Sequence, residues 1–149
     1  MKTIAASIDQ LDVILEKIPA KGSINDGLAI QKQFNDLVTN LQKGTADVKA
    51  TQSPFSEADS RAILAVAKAF GPTILHLLSN TITKKGSITS IPVPGISTLV
   101  REALKKLQAN ANAFEAALIA AFAASVKAEG QALQAQLDIV FIKAVAAYA

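Results

Sequence analysis

The chain has 149 residues, half of them hydrophobic, with one histidine, no cysteine, no tryptophan and a formal net charge of +3. The lack of cysteine excludes thiol, metal-thiolate and disulfide chemistry. Basic residues are scattered and aromatic residues are few, which argues against nucleic-acid binding. This length suits a single domain with a sizeable core, so we expect residues 1–149 to form one helical domain.

Apolar residues at helical spacing predict a first helix from Ile4 to Ile18, ended by Pro19 and Gly22. A second helix should begin near Asn25 or Asp26, either of which could cap it.

A third helix should follow Ser56, whose hydroxyl can cap it, and continue to Lys84-Lys85-Gly86. Gly71-Pro72 should kink this helix, because proline lacks an amide donor and clashes with the preceding turn.

Residues 87–95 contain Pro92 and Pro94 and should form an extended loop. A helix continuous over 96–148 would be on the order of 80 Å long, too long for a compact domain. We therefore expect a tight reversal near Ala121 to Ser125, between a fourth helix that starts near Gly95 to Ser97 and a fifth that starts near Ser125. The predicted fold is all-α, an antiparallel five-helix bundle.

No segment reaches the ~18 to 20 uncharged apolar residues of a membrane span, because Glu115 and Lys127 bracket the longest run. We therefore predict no transmembrane segment. The first residues lack an apolar signal-peptide core, so either the protein is cytosolic or a leader has been removed before Met1.

Two stretches, 63–78 and 113–126, are apolar nearly all round, more than one core-facing stripe requires. The surplus must face a deeper core, a partner subunit, a surface or an apolar ligand. The leading hypothesis is a central apolar cavity between the helices. The alternative is an interaction protein whose apolar faces point outward, as an adhesive coat or a homodimer interface. Residues on the inward stripes are the predicted pocket lining: Phe34, Leu37, Leu41, Val66, Phe70, Ile74, Leu104, Leu107, Ala111, Phe114, Leu118, Gly130, Leu133, Leu137 and Phe141.

Reactive side chains are scarce. His76 stands alone in a leucine-rich stretch, and no Glu-x-x-His pair for a di-iron site is present. We therefore predict no enzyme activity, no catalytic residue, no bound metal and no cofactor. Gln31 and Gln134 lie in phase with apolar stripes, so their amides could pair with backbone, with each other, or with the head group of an apolar ligand.

Six short segments, taken in their order and spacing, resemble the hydrophobic surface-binding protein A family of filamentous fungi, which includes ligand-binding domains of cell-wall galactomannoproteins. The resemblance covers nearly the whole chain, although a proline expected near residue 123 is absent. The segments are Ile8 to Ile18, Phe55 to Ser60, Leu77 to Asn80 before Lys84-Lys85, Ala113-Phe114, Glu129 to Leu133, and Phe141 to Tyr148.

The resemblance implies a secreted or cell-wall domain of five helices. One branch of the family resembles a carrier that encloses a long-chain fatty acid, such as arachidonic or palmitic acid, and sequesters host lipid. The other branch adsorbs to hydrophobic surfaces and recruits a secreted esterase. For a fatty acid, Gln31 and Gln134 are the predicted head-group donors, with Lys84 and Lys85 as rivals if the carboxylate sits at the mouth.

Overall fold

The computed structural model describes all residues, 1–149, and contains six helices and no strand. They are α1 (Lys2–Lys17), α2 (Ile24–Ala50), α3 (Glu57–Thr83), α4 (Lys85–Thr89), α5 (Ile96–Ala121) and α6 (Ala124–Ala147). The all-α prediction is confirmed, whereas the predicted count of five helices is wrong because the structure has a sixth, short helix. The expected extended loop over 87–95 is wrong at its start, where residues 85–89 form the short α4, because proline restricts only itself and the residue before it.

The five long helices form a closed ring. α1 packs against α2 and α3, α2 packs against α5, α5 packs against α6, and α6 packs against α3. The short α4 contacts α5 and α3 at one end of the ring. Each long helix therefore has two main neighbours and turns its apolar stripe toward a common axis.

Helix direction differs between the pairs of this ring. α1 and α2 run antiparallel, as do α5 and α6. In contrast, α3 and α6 run parallel, since Lys68 contacts Glu129 near one end and Thr81 contacts Tyr148 near the other. α2 and α5 also run parallel, since Phe34 and Val100 line one groove and, further along both helices, Gly44 lies beside Phe114. The predicted antiparallel arrangement therefore holds only for helices that follow one another closely along the chain.

Side-chain caps set the starts of α2 and α3. The Ser23 hydroxyl accepts the Asp26 amide at 3.2 Å, while the Ser23 amide donates to the Asp26 carboxylate at 2.8 Å, forming a capping box. At α3 the Ser56 hydroxyl accepts the Asp59 amide at 3.1 Å. The capped start predicted from Ser56 is thus present. The predicted caps of α2 are wrong, because Ser23 is the N-cap and Asp26 is the third helical residue, whose carboxylate accepts from the Ser23 amide.

The reversal between α5 and α6 is held by the beginning of α3. The hydroxyl of Ser60, which is fully buried, accepts the Ala123 amide at 2.9 Å. Beside it, the Phe55 amide donates to the Ala121 carbonyl at 2.7 Å. A serine on a different helix thereby satisfies a backbone donor at a turn that contains neither proline nor glycine.

α3 continues through Gly71 and Pro72, so the predicted kink remains a prediction. By length and composition alone this helix could cross a membrane, a property it shares with core helices of water-soluble proteins. This candidate helix lies outside the run between Glu115 and Lys127 on which the prediction of no transmembrane segment was based.

We expect Ser60→Ala to lower the free energy of unfolding by about 1–3 kcal/mol, because it removes the acceptor of the Ala123 amide in a half-buried turn. Ser125→Ala, at an exposed position beside the same turn, should change the free energy by less than about 0.5 kcal/mol. Urea unfolding followed by circular dichroism measures both. Equal midpoints for the two variants would show that Ser60 does not hold the reversal.

Candidate functional site

An apolar pocket lies between the five long helices of the ring and is here called the central cavity. Its volume is about 70 Å³, and 17 of its 18 lining residues are hydrophobic. All five long helices contribute to the wall. The lining residues are Met1, Ile4, Ile8, Leu37, Leu41, Ala67, Phe70, Ile74, Leu77, Leu78, Leu107, Ala111, Phe114, Glu115, Leu118, Leu133, Leu137 and Phe141.

Helical periodicity explains why these side chains face inward. On α5 the lining positions Leu107, Ala111, Phe114 and Leu118 recur every three or four residues and form one stripe. Such a stripe faces one direction only, so it lines the cavity while the opposite face of the helix is exposed to solvent.

Most of the predicted pocket residues lie together on the cavity wall. Phe34, Leu104, Val66 and Gly130 lie elsewhere. Phe34 lines a groove at the outer edge of the ring, Leu104 is fully buried without lining the cavity, and Val66 is 42% exposed. Those on the wall are Leu37, Leu41, Phe70, Ile74, Leu107, Ala111, Phe114, Leu118, Leu133, Leu137 and Phe141.

A small extension of about 30 Å³ adjoins the central cavity toward the α5–α6 reversal, and the two share lining residues. Gly130 lies here, where an added Cβ would come within 3.0 Å of Ile119 Cγ1 and 3.1 Å of Phe122 Cε2. Close helix contact therefore accounts for this glycine. Gln134 also lines the extension.

The sequence prediction omitted the contribution of α1, whose Ile4 and Ile8 were used only to predict the first helix. It also omitted Ala67, Leu77 and Leu78 on α3, although they belong to an apolar stretch. The sequence shows the helical periodicity of α1, but it does not show which helices pack against one another to close the ring.

Glu115 is the one polar residue on the wall of the central cavity, and it was not predicted. Its Oε2 atom is buried and has no hydrogen-bond partner. Burial, together with the negative charge of Asp138, raises the pKa of the Glu115 carboxyl to about 7. The sequence signal was a single acid inside a long apolar run.

The predicted head-group residues lie apart from one another. Gln31 is exposed and lines the outer groove, whereas the Gln134 amide lies 3.5 Å from the Asn112 carbonyl. The Lys85 Nζ atom lies 5.9 Å from the centre of the Tyr148 ring. Neither Lys85 nor Lys84 lines a cavity described here.

The outer groove lies between α2, α5 and the segment around α4. Its volume is about 210 Å³, and 11 of its 14 lining residues are hydrophobic. Ile24, Leu28 and Leu99 on its rim are each more than half exposed. Apolar side chains are thus presented to solvent at this end of the molecule.

His76 lies on the outer surface, away from both cavities. Its Nδ1 atom is 2.5 Å from Asp12 Oδ2, and its Nε2 atom is 3.9 Å from Glu16. The hydrogen bond and charge of Asp12 raise the pKa of the imidazole. These three side chains are the residues that could hold a metal ion, but the Asp12 carboxylate already accepts from the Asn80 amide at 2.8 Å.

Known proteins share this architecture. The crystal structure of AFMP4P in complex with palmitic acid matches with a TM-score of 0.91 and 27% identity, covering 99% of this chain and 94% of that one. Ligand binding domain 1 of the Penicillium marneffei MP1 protein, complexed with arachidonic acids, matches with a TM-score of 0.89 and 16% identity, covering 99% and 93%. Domain 2 of that protein, complexed with multiple arachidonic acids, gives 0.88 and 16%, covering 99% and 90%.

No curated protein sequence matches the chain. The sequence profile of the hydrophobic surface binding protein A family does match it, over residues 1–120. The match contains α1 to α4 and all but the last residue of α5, and α6 lies outside it. The chain belongs to the hydrophobic surface binding protein A family.

Proposed function

We propose that this protein is a lipid-binding domain that encloses a long-chain fatty acid, such as palmitic or arachidonic acid, in the central cavity. The observation that carries the proposal is a closed helical ring whose inner wall is hydrophobic at 17 of 18 positions. The similar AFMP4P structure holds palmitic acid, which supports this class of ligand.

Transfer of a fatty-acid chain into such a wall is strongly favourable. About 16 buried carbons at about 0.8 kcal/mol each give roughly 13 kcal/mol before the costs of ordering the ligand and widening the ring. Submicromolar affinity is therefore feasible without an ion pair.

Binding requires the ring to widen, because ligand pockets usually measure about 300–1,000 Å³ and the central cavity measures about 70 Å³. We place the widening at the contact between α3 and α6. Leu133 and Leu137 line both the central cavity and an outer cleft beside Gly71 and Pro72, so these two side chains separate the cavity from solvent. Pro72 lacks the amide that would tie it to the preceding turn, which favours a bend there.

We further propose that the protein acts outside the cell or in the cell wall, where it sequesters host lipid, and that it does so by binding and without catalysis. Membership in the family supports the location. The apolar lining of the cavity, which contains no histidine or serine, supports a binding role.

A second function, adsorption to hydrophobic surfaces with recruitment of a secreted esterase, is favoured by the outer groove. Ile24, Leu28 and Leu99 expose apolar area there, as a surface-binding face requires. The same face would serve as a homodimer interface, which light scattering of the lipid-free protein detects.

Competition among saturated acids from C12 to C22 separates enclosure from adsorption. A closed cavity should give an affinity optimum at one chain length, because a longer chain must protrude or buckle. Isothermal titration calorimetry gives the dissociation constants. Affinity that rises smoothly through C22 would instead assign binding to an open apolar face.

Ala111→Phe should reduce fatty-acid affinity at least about tenfold, since the added phenyl group occupies the space of the ligand. The free energy of unfolding should fall by no more than about 1–3 kcal/mol, the usual cost of overpacking, because the added phenyl group uses the existing cavity of about 70 Å³ before it displaces neighbouring side chains. Ala109→Phe, on the exposed face of the same helix, is the control. Unchanged affinity with a large loss of stability in Ala111→Phe would show that side chains already fill the centre.

A further inference from the structure

We propose that Glu115 anchors the lipid head group, and that the central cavity therefore selects lipids whose head group donates a hydrogen bond, namely a protonated fatty acid or a long-chain alcohol, over an ionised fatty acid. This inference rests on the proposed function. It names the head-group chemistry that the same cavity accepts.

The first support is position. Glu115 lines both the central cavity and its extension, so its carboxyl lies on the wall where a head group enclosed in either space would meet it. The rest of the central cavity offers only hydrophobic side chains. A buried head group placed anywhere else along that wall would lose its hydration without gaining a partner.

The second support is the unmet hydrogen-bonding capacity of the carboxyl. Glu115 Oε2 is buried without a partner, and an unpaired buried acceptor is costly. An alcohol or a protonated acid would supply the missing donor. Gln134, on the wall of the extension, offers an amide beside the same space.

The third support is charge. No lysine, arginine or histidine lines the cavity or its extension, and the charged group that acts on Glu115 from α6 is the carboxylate of Asp138. The walls from α1, α2 and α3 are hydrophobic. An ionised fatty acid would therefore bring a second negative charge against Glu115, whereas two carboxyls that share one proton attract each other.

Dissociation constants of palmitic acid, hexadecan-1-ol and methyl palmitate, measured at pH 5.5 and 8.5, test the proposal. The variants are Glu115→Gln and, as a control, Glu102→Gln, which removes an exposed acid from the same helix. Comparing variants at one pH cancels the ionisation and solubility of the ligand itself.

At pH 8.5 we expect Glu115→Gln to bind palmitic acid at least about tenfold more tightly than the unmodified protein, because only about one Glu115 in thirty is protonated 1.5 units above its pKa of about 7. At pH 5.5 the dissociation constants of palmitic acid for Glu115→Gln and the unmodified protein should agree within about threefold. Hexadecan-1-ol should bind the unmodified protein at both pH values, and more tightly than the methyl ester, which has no donor. Glu102→Gln should follow the unmodified protein throughout.

If palmitic acid binds but Glu115→Gln shows the same preference among the three ligands as the unmodified protein at both pH values, the head group does not meet Glu115 and the inference is overturned. The proposed function would survive that result. If none of the three ligands binds at either pH, the proposed function itself fails.

The pH dependence of the stability of the ligand-free protein provides an independent test of the role of Glu115. The folded-state pKa of Glu115, about 7, lies above its ordinary value of 4.5, so folding favours the protonated form. The stability of the unmodified protein should therefore fall as the pH rises from about 4.5 to 7, relative to Glu115→Gln, which does not ionise. Urea midpoints at pH 4.5, 6 and 8 measure this difference. A constant difference over that range would mean that Glu115 is solvated, which removes the basis for its role as an anchor.

Discussion

The closure of five helices into one ring is the constraint on which the candidate site depends. At an interaxial distance of about 9 Å, helix axes lie about 7.7 Å from the centre of a regular pentagon but only about 6.4 Å from the centre of a square. A five-helix ring therefore has more axial space to fill than a four-helix bundle. Phe70, Phe114 and Phe141 occupy much of it and leave the central cavity between them.

That geometry explains where the surplus apolar residues of the sequence lie. A stripe that would only complete the core of a smaller bundle here faces a space shared by all five long helices. The one carboxyl on the wall matters for the same reason, since its Oε2 atom is buried and no cationic side chain lines the cavity to stabilise its charge. The proposed binding of the lipid's hydrocarbon chain and the proposed choice of head group thus both follow from the five-helix ring.

Much of the fold could be predicted because its signals are local. The capping serine Ser56, proline positions and apolar periodicity placed the long helices, and the length of the 96–148 segment required a reversal within it, which lies near residue 121. The short α4 was missed because Pro92 and Pro94 dominated the interpretation of its segment. The order of helices around the ring was beyond prediction, since periodicity shows which face is buried but not which helix covers it. For this reason Ile4 and Ile8 were not assigned to the pocket, and Val66 was. Glu115 entered the sequence analysis only as the end of an apolar run, because an isolated acid in a helix is usually solvated. Only the three-dimensional structure shows that its Oε2 atom is buried.

The parallel pairing of helices also affects how the protein folds. Contacts between α3 and α6 join residues that lie 61 and 67 positions apart in the chain. An up-and-down bundle of the same helices would be built mainly from contacts between neighbours in sequence. Because closing long loops costs entropy before the contacts form, this ring should fold more slowly than such a bundle. Until α6 docks, the inner apolar wall stays open to water, so the interval before ring closure is when the chain is most prone to aggregation.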